Sequence, residues 1–337
     1  MIQKIRMQGL KHASKLLIGG GLILFSSLVF SQTSSNTNSS NYPNKSIRLV
    51  SPIPPGGAPD LVARALANRL SNQLGLSVFV ENKVGSNGNI AADVVSHSPA
   101  DGYTLLIGMD SLFVINPYLY SKSVNANNEF RQVATLASNQ FVLAVNSKLP
   151  VKNLAEFVDY AKKANPIAAY ASGGNGSQHH LTMEMLKARA DIDLLHVPYK
   201  GGVEATTATI GGESIAMFSG TSNANLIRSG KLKAIAVSGL KRSKDLPEVP
   251  TIAESYPGFD NTIWIGLFAP KDTPDAVVAK LRQEVNKALT DPEMIETLAK
   301  AGGIEPLITT QEEFTNLIKK DQLKYSTIIK KLNLKLN

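Results

Sequence analysis

From Ser46 onward, short runs rich in β-branched and aromatic residues alternate with longer stretches whose apolar residues recur at helical spacing. The runs SIRLVSPI, LSVFVEN, YTLLIGM, FVLAVN, IAAYAS, LLHVPY, SIAMFS, LKAIAVSG and TIWIGLFAP read as strands. Between them, Pro59 to Leu74, the stretch NIAADVVSHS, Leu154 to Ala164, Gln178 to Arg189, a short segment from Val203 and another near Ala224 to Ser229 read as helices. Pro274 to Thr290 and Gln311 to Leu332 follow the last strand as two more. Such alternation predicts an α/β fold of two open, mostly parallel sheets flanked by helices. A chain of 337 residues, 43% of them hydrophobic, has room for two domains. The expected division is residues 42–144 with 262–337 as the first domain and 145–261 as the second.

The first forty residues stand apart from this pattern. Lys4, Arg6, Lys11 and Lys15 precede an uncharged run from Leu16 to Phe30, which is the layout of a secretory signal peptide over residues 1–31, with cleavage expected after Ser31. Its apolar run is too short to span a bilayer comfortably. Gln32 to Asn41 contains only Gln, Thr, Ser and Asn and reads as a flexible leader. With no cysteine, disulfides and a lipid-modified N-terminus are both excluded. The formal charge of +8 includes four positive charges and no acid in residues 1–31, so the remainder carries 31 − 27 = +4. That surplus is too small for a nucleic-acid footprint, and no basic run is interleaved with aromatics. The expected localisation is the periplasm.

In an open parallel sheet, ligands sit beyond the carboxyl ends of the strands, where loops lead into helix starts. Three glycine-rich loops occupy such places. In SPIPPGGAPD, Pro59 suits the first turn of a helix, Gly56 and Gly57 let backbone approach a ligand, and Asp60 complements the helix dipole or meets ligand through water. In ASGGNGSQHHL, Ser177 is a candidate N-cap, and Gly173, Gly174 and Gly176 offer backbone N–H groups to an anion. In VPYKGGVEA, Lys200 stands beside Gly201 and Gly202 at another helix start.

These loops, together with the segments YPNKSIRLVSPIPPGGAPD, VENKVGSNGNIAADVV, PADGYTLLIG, INPYLY, HVPYKGG, SGKLKAIAVSGLKRSKDLPEVPTIAE and WIGLFAPKDTPDAVVAKL, resemble the Bug family of periplasmic substrate-binding receptors for tripartite tricarboxylate transporters. The resemblance runs from about Tyr42 to Lys335. It implies a two-domain periplasmic-binding-protein fold, type II-like, with the ligand in a cleft between domains. It also implies a small carboxylate ligand, a membrane transporter of the tripartite tricarboxylate type as partner, no cofactor and no catalysis. Carried over, the first loop falls on Ile53, Pro54, Gly57 and Asp60, and the second on Ser172, Gly176, Ser177 and Gln178. The third falls on Tyr199, Lys200, Gly201 and Gly202. Met109 to Phe113 would complete the wall, with Asp110 and Ser111 as candidates, and His179 would line the cleft. Trp264 matches a family tryptophan with a core or hinge role.

Two departures bear on specificity. Met109-Asp110-Ser111-Leu112-Phe113 replaces a Thr/Ser-rich turn, placing an acid and two apolar residues on the wall. Phe218-Ser219-Gly220-Thr221 replaces Phe-Asp-Asn, removing an acid and making Thr221 a candidate contact. Together they favour a ligand with one carboxylate and either an apolar or an amine-bearing remainder. A hydrolase built on Ser177 with His179 or His180 lacks a G-x-S-x-G elbow, and no H-E-x-x-H spacing points to a metal. A receptor whose closed form docks on a signalling partner would share the same physics. The chain is expected to act as a monomer.

Overall fold

The computed structural model describes residues 41–121 and 126–335. The expected signal peptide and most of the leader lie outside them. Among the described residues ten strands form: β1 Ile47–Ser51, β2 Val78–Asn82, β3 Thr104–Met109, β4 Phe130–Asn146, β5 Ala169–Ser172, β6 Leu195–Pro198, β7 Ala216–Gly220, β8 Leu232–Val237, β9 Thr262–Pro270 and β10 Glu305–Pro306. Each of the nine runs read as strands overlaps one of them. Their order is β2-β1-β3-β9-β4-β7-β5-β6, with β8 and β10 also paired to β4.

Two parallel trios carry the architecture. β2, β1 and β3 are parallel, as are β7, β5 and β6. The strands that join the trios run antiparallel to their neighbours, β9 to β3 and β4 to β9 and β7. β4 belongs to both halves. Its residues Phe130 to Gln140 pair with β9, and Phe141 to Asn146 pair with β7 and β8. The expected division after residue 144 thus falls inside one strand, whose partners change between Gln140 and Phe141.

The first half of β4 escapes a period-two reading for a physical reason. Register shifts between Gln132 and Ala134 and between Thr135 and Ala137 reset which side chains face the core. Arg131, Gln132, Ser138, Asn139 and Gln140 then scatter polarity along the strand.

Helices cover both faces. Ala58–Leu74, Asp275–Leu289 and Pro292–Lys300 bury Val62, Leu66, Leu281, Val285, Met294 and Leu298 against Leu49, Leu105 and Leu267. On the other face, Asn89–Ser96 and the long Gln311–Leu332 helix pack around Trp264, Phe268, Phe113 and Phe314. The second trio is covered by Leu154–Lys163 and Gln178–Ala190 around Tyr170, Phe157 and Phe218. Among the described residues, no helix is long and apolar enough to cross a membrane.

Candidate functional site

The two trios point their carboxyl ends at each other. Met109, the end of β3, lies level with Ile265 of β9, which pairs with Ala137 of β4. Gly220, the end of β7, lies level with Phe141 of β4 and arrives from the opposite direction. Four residues of β4 separate these levels, about 13 Å at the usual rise of a strand. The loops that follow β1, β2 and β3 therefore form one rim and those that follow β5, β6 and β7 form the other.

On the first rim, Asp60 organises the opening loop. It is 1% exposed, and its carboxylate accepts from the Gly56 amide at 3.0 Å, Arg64 Nε at 2.9 Å and Asn82 Nδ2 at 2.7 Å. Asn82 Nδ2 also donates to Ile53 O at 2.8 Å, so the end of β2 fixes the loop from both sides. Burial alone would raise the carboxyl's pKa, but these donors and the Arg64 charge outweigh it and hold it below its ordinary value. The Asp60 side chain is occupied in shaping the loop, while Pro54, Pro55 and Gly56 are exposed and Ile53 and Gly57 half-buried.

The loop after β2 also stands on this rim. Gly85, Ser86, Asn87 and Gly88 all have positive φ, at 137°, 47°, 49° and 93°. Asn87 Nδ2 donates to Asn116 Oδ1 at 2.7 Å and Asn116 Nδ2 donates to the Asn87 carbonyl at 3.0 Å, which holds the turn. A Cβ on Gly88 would meet Pro52 at 3.2 Å and Met109 at 3.7 Å, so this turn touches both neighbouring loops. Sequence reasoning left it out of the site, although four residues G-S-N-G after a strand are the signature of a left-handed turn.

On the second rim the glycine loop spends its donors internally. The Gly174 amide donates to Ser172 Oγ at 3.1 Å, and the Gly176 amide to His180 Nδ1 at 3.1 Å. The row of free amides expected at Gly174 and Gly176 is therefore not present in this conformation. Ser172 Oγ meets His196 Nε2 at 2.6 Å, and His180 stacks on His196 with centroids 3.9 Å apart. Burial, then the neighbouring His196 and Lys187 charges, take His180 down to about 3, so it is neutral. Ser177 caps the Gln178–Ala190 helix, accepting from the His180 amide at 3.3 Å.

His179 is wedged between two turns. A Cβ on Gly173 would lie 3.0 Å from its Nδ1, and one on Gly202 would lie 3.3 Å from its Nε2. Its ring packs on Phe141 at 4.9 Å, Nδ1 is buried without a partner, and burial takes its pKa down to about 4. Beside it, Tyr199 sends its hydroxyl to Glu213 at 3.1 Å. Lys200 is exposed, and Gly201 is the extended N-cap of the Gly202–Gly211 helix. Thr221 is fully buried, its hydroxyl engaged by Asn139 and by Gly302 O at 2.7 Å, which makes it a strut between β4 and the Gly302 turn.

Among the described residues, one hydrogen bond joins the rims. Gln178 Nε2 donates to Asp110 Oδ2 at 2.7 Å, both side chains buried, and the Ser111 amide donates to Asp110 Oδ1 at 2.6 Å. Gln178 Oε1 accepts from Tyr325 at 2.9 Å, and Tyr325 also bonds Asn261. Nearby, Asp321 accepts from Trp264 Nε1 at 3.0 Å and pairs with Lys324 at 3.0 Å. Burial pushes the Asp110 carboxyl up to about 7. The Gln178 and Ser111 bonds and Lys324 oppose that rise, and the Asp321 charge adds to it. Two surface cavities, of about 250 and 390 Å³, lie at the opposite end of β4 and β9, around Pro270 and Phe130, away from both rims.

The sequence model of the tripartite tricarboxylate transporter family receptors matches residues 62–334. The chain belongs to that family. A protein from the tcbD-tcbE intergenic region of Pseudomonas sp. strain P51 is 34% identical over 317 residues, covering 92% of this chain and 94% of the relative. The solved periplasmic binding protein BugD is 32% identical with a TM-score of 0.76, covering 88% of this chain and all of BugD. R. palustris Rpa4515, solved with adipate, is 28% identical with a TM-score of 0.81 over the same 88% and its own full length. The α/β periplasmic-binding-protein fold follows from these likenesses.

For this receptor, one expected part of the wall is corrected. Leu112 and Phe113 do not line it. The short Asp110–Val114 helix turns both inward, and Phe113 stacks on Phe268 with centroids 4.0 Å apart. Trp264 lies in the same core, in keeping with the structural role expected of it. No cluster of His, Cys, Asp and Glu suited to a metal occurs among the described residues.

Proposed function

We propose that the chain is an extracytoplasmic receptor that binds a small organic acid between its two rims and delivers it to a membrane transporter of the tripartite tricarboxylate type. The observation that carries this reading is the opposition of two loop rims, joined by the buried Gln178–Asp110 bond and backed by antiparallel strands that both halves share. β4 and β9 would act as the hinge. Residues 1–31 would be removed on export, leaving a periplasmic monomer from Gln32 that performs no chemistry. The adipate held by the R. palustris relative supports a carboxylate ligand.

The carboxylate would be held at the helix starts near Ser177 and Gln178, near Gly57 and near Gly201 and Gly202, with Ile53, Pro54 and Lys200 lining the entrance. A helix start contributes roughly 0.3–2 kcal/mol to a bound anion. Micromolar affinity needs about 8 kcal/mol, so closure of the rims and direct hydrogen bonds supply most of it. In this conformation Ser172 and His180 occupy two loop amides, so ligand entry would trade internal bonds for bonds to ligand.

The test is a thermal-shift screen of protein from Gln32, stripped of ligand by unfolding and refolding, against mono-, di- and tricarboxylates, amino acids and aromatic acids. At least one acid should stabilise the protein, and Ser177→Trp should abolish the shift. A folded protein that responds to none of them would overturn the reading.

A further inference from the structure

We propose that Asp110 sets the charge class of the ligand, selecting acids that also carry an ammonium group over those that carry a second carboxylate. This rests on the organic-acid reading above and narrows it. Two alternatives were open for the ligand's far end, apolar or amine-bearing. The apolar one depended on Leu112 and Phe113 facing the cleft; both side chains pack into the core around Phe268, whereas Asp110, equally buried, meets Gln178 of the second rim. What remains distinctive on that wall is the Asp110 carboxylate.

That carboxylate is short of positive charge. It is 2% exposed, and among the described residues its oxygens are met only by neutral donors, the Gln178 side-chain amide at 2.7 Å and the Ser111 amide at 2.6 Å. The Gln311–Leu332 helix brings Asp321, Lys324 and Tyr325 towards it. Lys324 is committed to Asp321 at 3.0 Å, so two buried carboxylates share one ammonium. From the second rim come Gln178 and the neutral His179 and His180, which add no cation. A buried carboxylate without a cation is costly, and the cost is relieved by a cation of the incoming molecule. A second carboxylate would meet Asp110 as a like charge. Asp110 stands at the point where the rims touch, so a ligand seated between them would meet it.

The experiment is isothermal titration of ligand-stripped protein at pH 7.5 with matched pairs: 4-aminobutyrate and succinate, 5-aminopentanoate and glutarate, leucine and 4-methylpentanoate, aspartate and succinate. The tightest ligand should carry an ammonium and bind at least tenfold more tightly than its partner. In Asp110→Asn that factor should fall below about threefold. A wild-type preference for the ammonium-free acid overturns the proposal, as does an unchanged factor in a folded variant. If Asp110→Asn fails to fold, the wild-type ranking decides alone. Absence of binding by every acid, with or without an amine, would instead overturn the organic-acid reading and this inference with it.

Discussion

Asp110→Asn also has a consequence for stability that needs no ligand. The carboxyl titrates at about 7 in the folded protein and near 3.8 when exposed in the unfolded chain. Below pH 4 it is protonated in both states, so the stability belonging to the neutral form is fully present. Between about pH 4 and 7 the unfolded chain gives up the proton while the folded protein keeps it. Each pH unit in that window lowers wild-type stability by a factor of about ten in the unfolding constant. Over about three units the ceiling is about 4 kcal/mol, and the curve is flat again above pH 7. Asparagine removes this slope and adds a constant cost. It has one acceptor for two donors, so its own amide must face either Gln178 Nε2 or the Ser111 amide, at about 1–3 kcal/mol. The variant should therefore be the less stable protein at pH 4 and the more stable one at pH 8. Asp60, Glu254 and Glu284 all have lowered pKa values and slope the other way, but identically in both proteins. Urea unfolding of both proteins at half-unit pH steps gives the difference curve directly. Parallel curves would show that Asp110 is ionised or hydrated in the folded state, and the reasoning would fail.

Three further changes test each rim and the core behind them. Asp60→Ala removes the acceptor shared by the Gly56 amide, Arg64 and Asn82, so it should cost about 1–3 kcal/mol and speed hydrogen exchange at Gly56; unchanged exchange there would refute its role in shaping the loop. Gly176→Ala forces a side chain to φ 72°, at about 1–2 kcal/mol. It should weaken acid binding while leaving the Asp60 loop's exchange unaltered, and an unchanged melting temperature would count against the turn geometry. Trp264→Phe keeps the packing against Phe314 but deletes the indole donor to Asp321. It should lose about 1–3 kcal/mol by chemical unfolding, and a loss too small to measure would mean Lys324 alone satisfies that carboxylate.

The rims were legible in the sequence because their signals are local. Pro59 after Gly56 and Gly57, Ser177 before a helical run, and Gly201-Gly202 after a strand each announce a strand-to-helix turn within ten residues. What the loops do with their polar groups was not legible. His180 taking the Gly176 amide and Ser172 taking the Gly174 amide depend on side-chain directions that no spacing encodes. The Gln178–Asp110 bond joins residues 68 apart, through two trios whose opposition is decided only by the shared strand. Leu112 and Phe113 were misplaced because four or five residues are too few to show which face of a short helix is buried. The first half of β4 was missed because bulges erase the alternation that a strand normally displays.

The unequal build of the two rims bears on which of them yields when a ligand arrives. The second rim is knitted by side chains: Ser172 with His196, His196 against His180, His180 with the Gly176 amide, and Tyr170 with Glu184 at 2.7 Å. To free the Gly176 amide, His180 would have to leave a ring stack, and its neutral state gives it no charge with which to regain solvation. The Asp110–Gln178 contact has no such backing on its Asp110 side, where one helix turn and one backbone amide hold the carboxylate. Gln178 in turn leans on Tyr325, which is tied to Asn261 just ahead of β9. Breaking the Gln178–Asp110 bond therefore disturbs a chain of contacts that ends at a strand shared by both halves. In the proposed clamp, hinged on β4 and β9, the group that displaces Asp110 would also be the group best placed to report its arrival to the hinge.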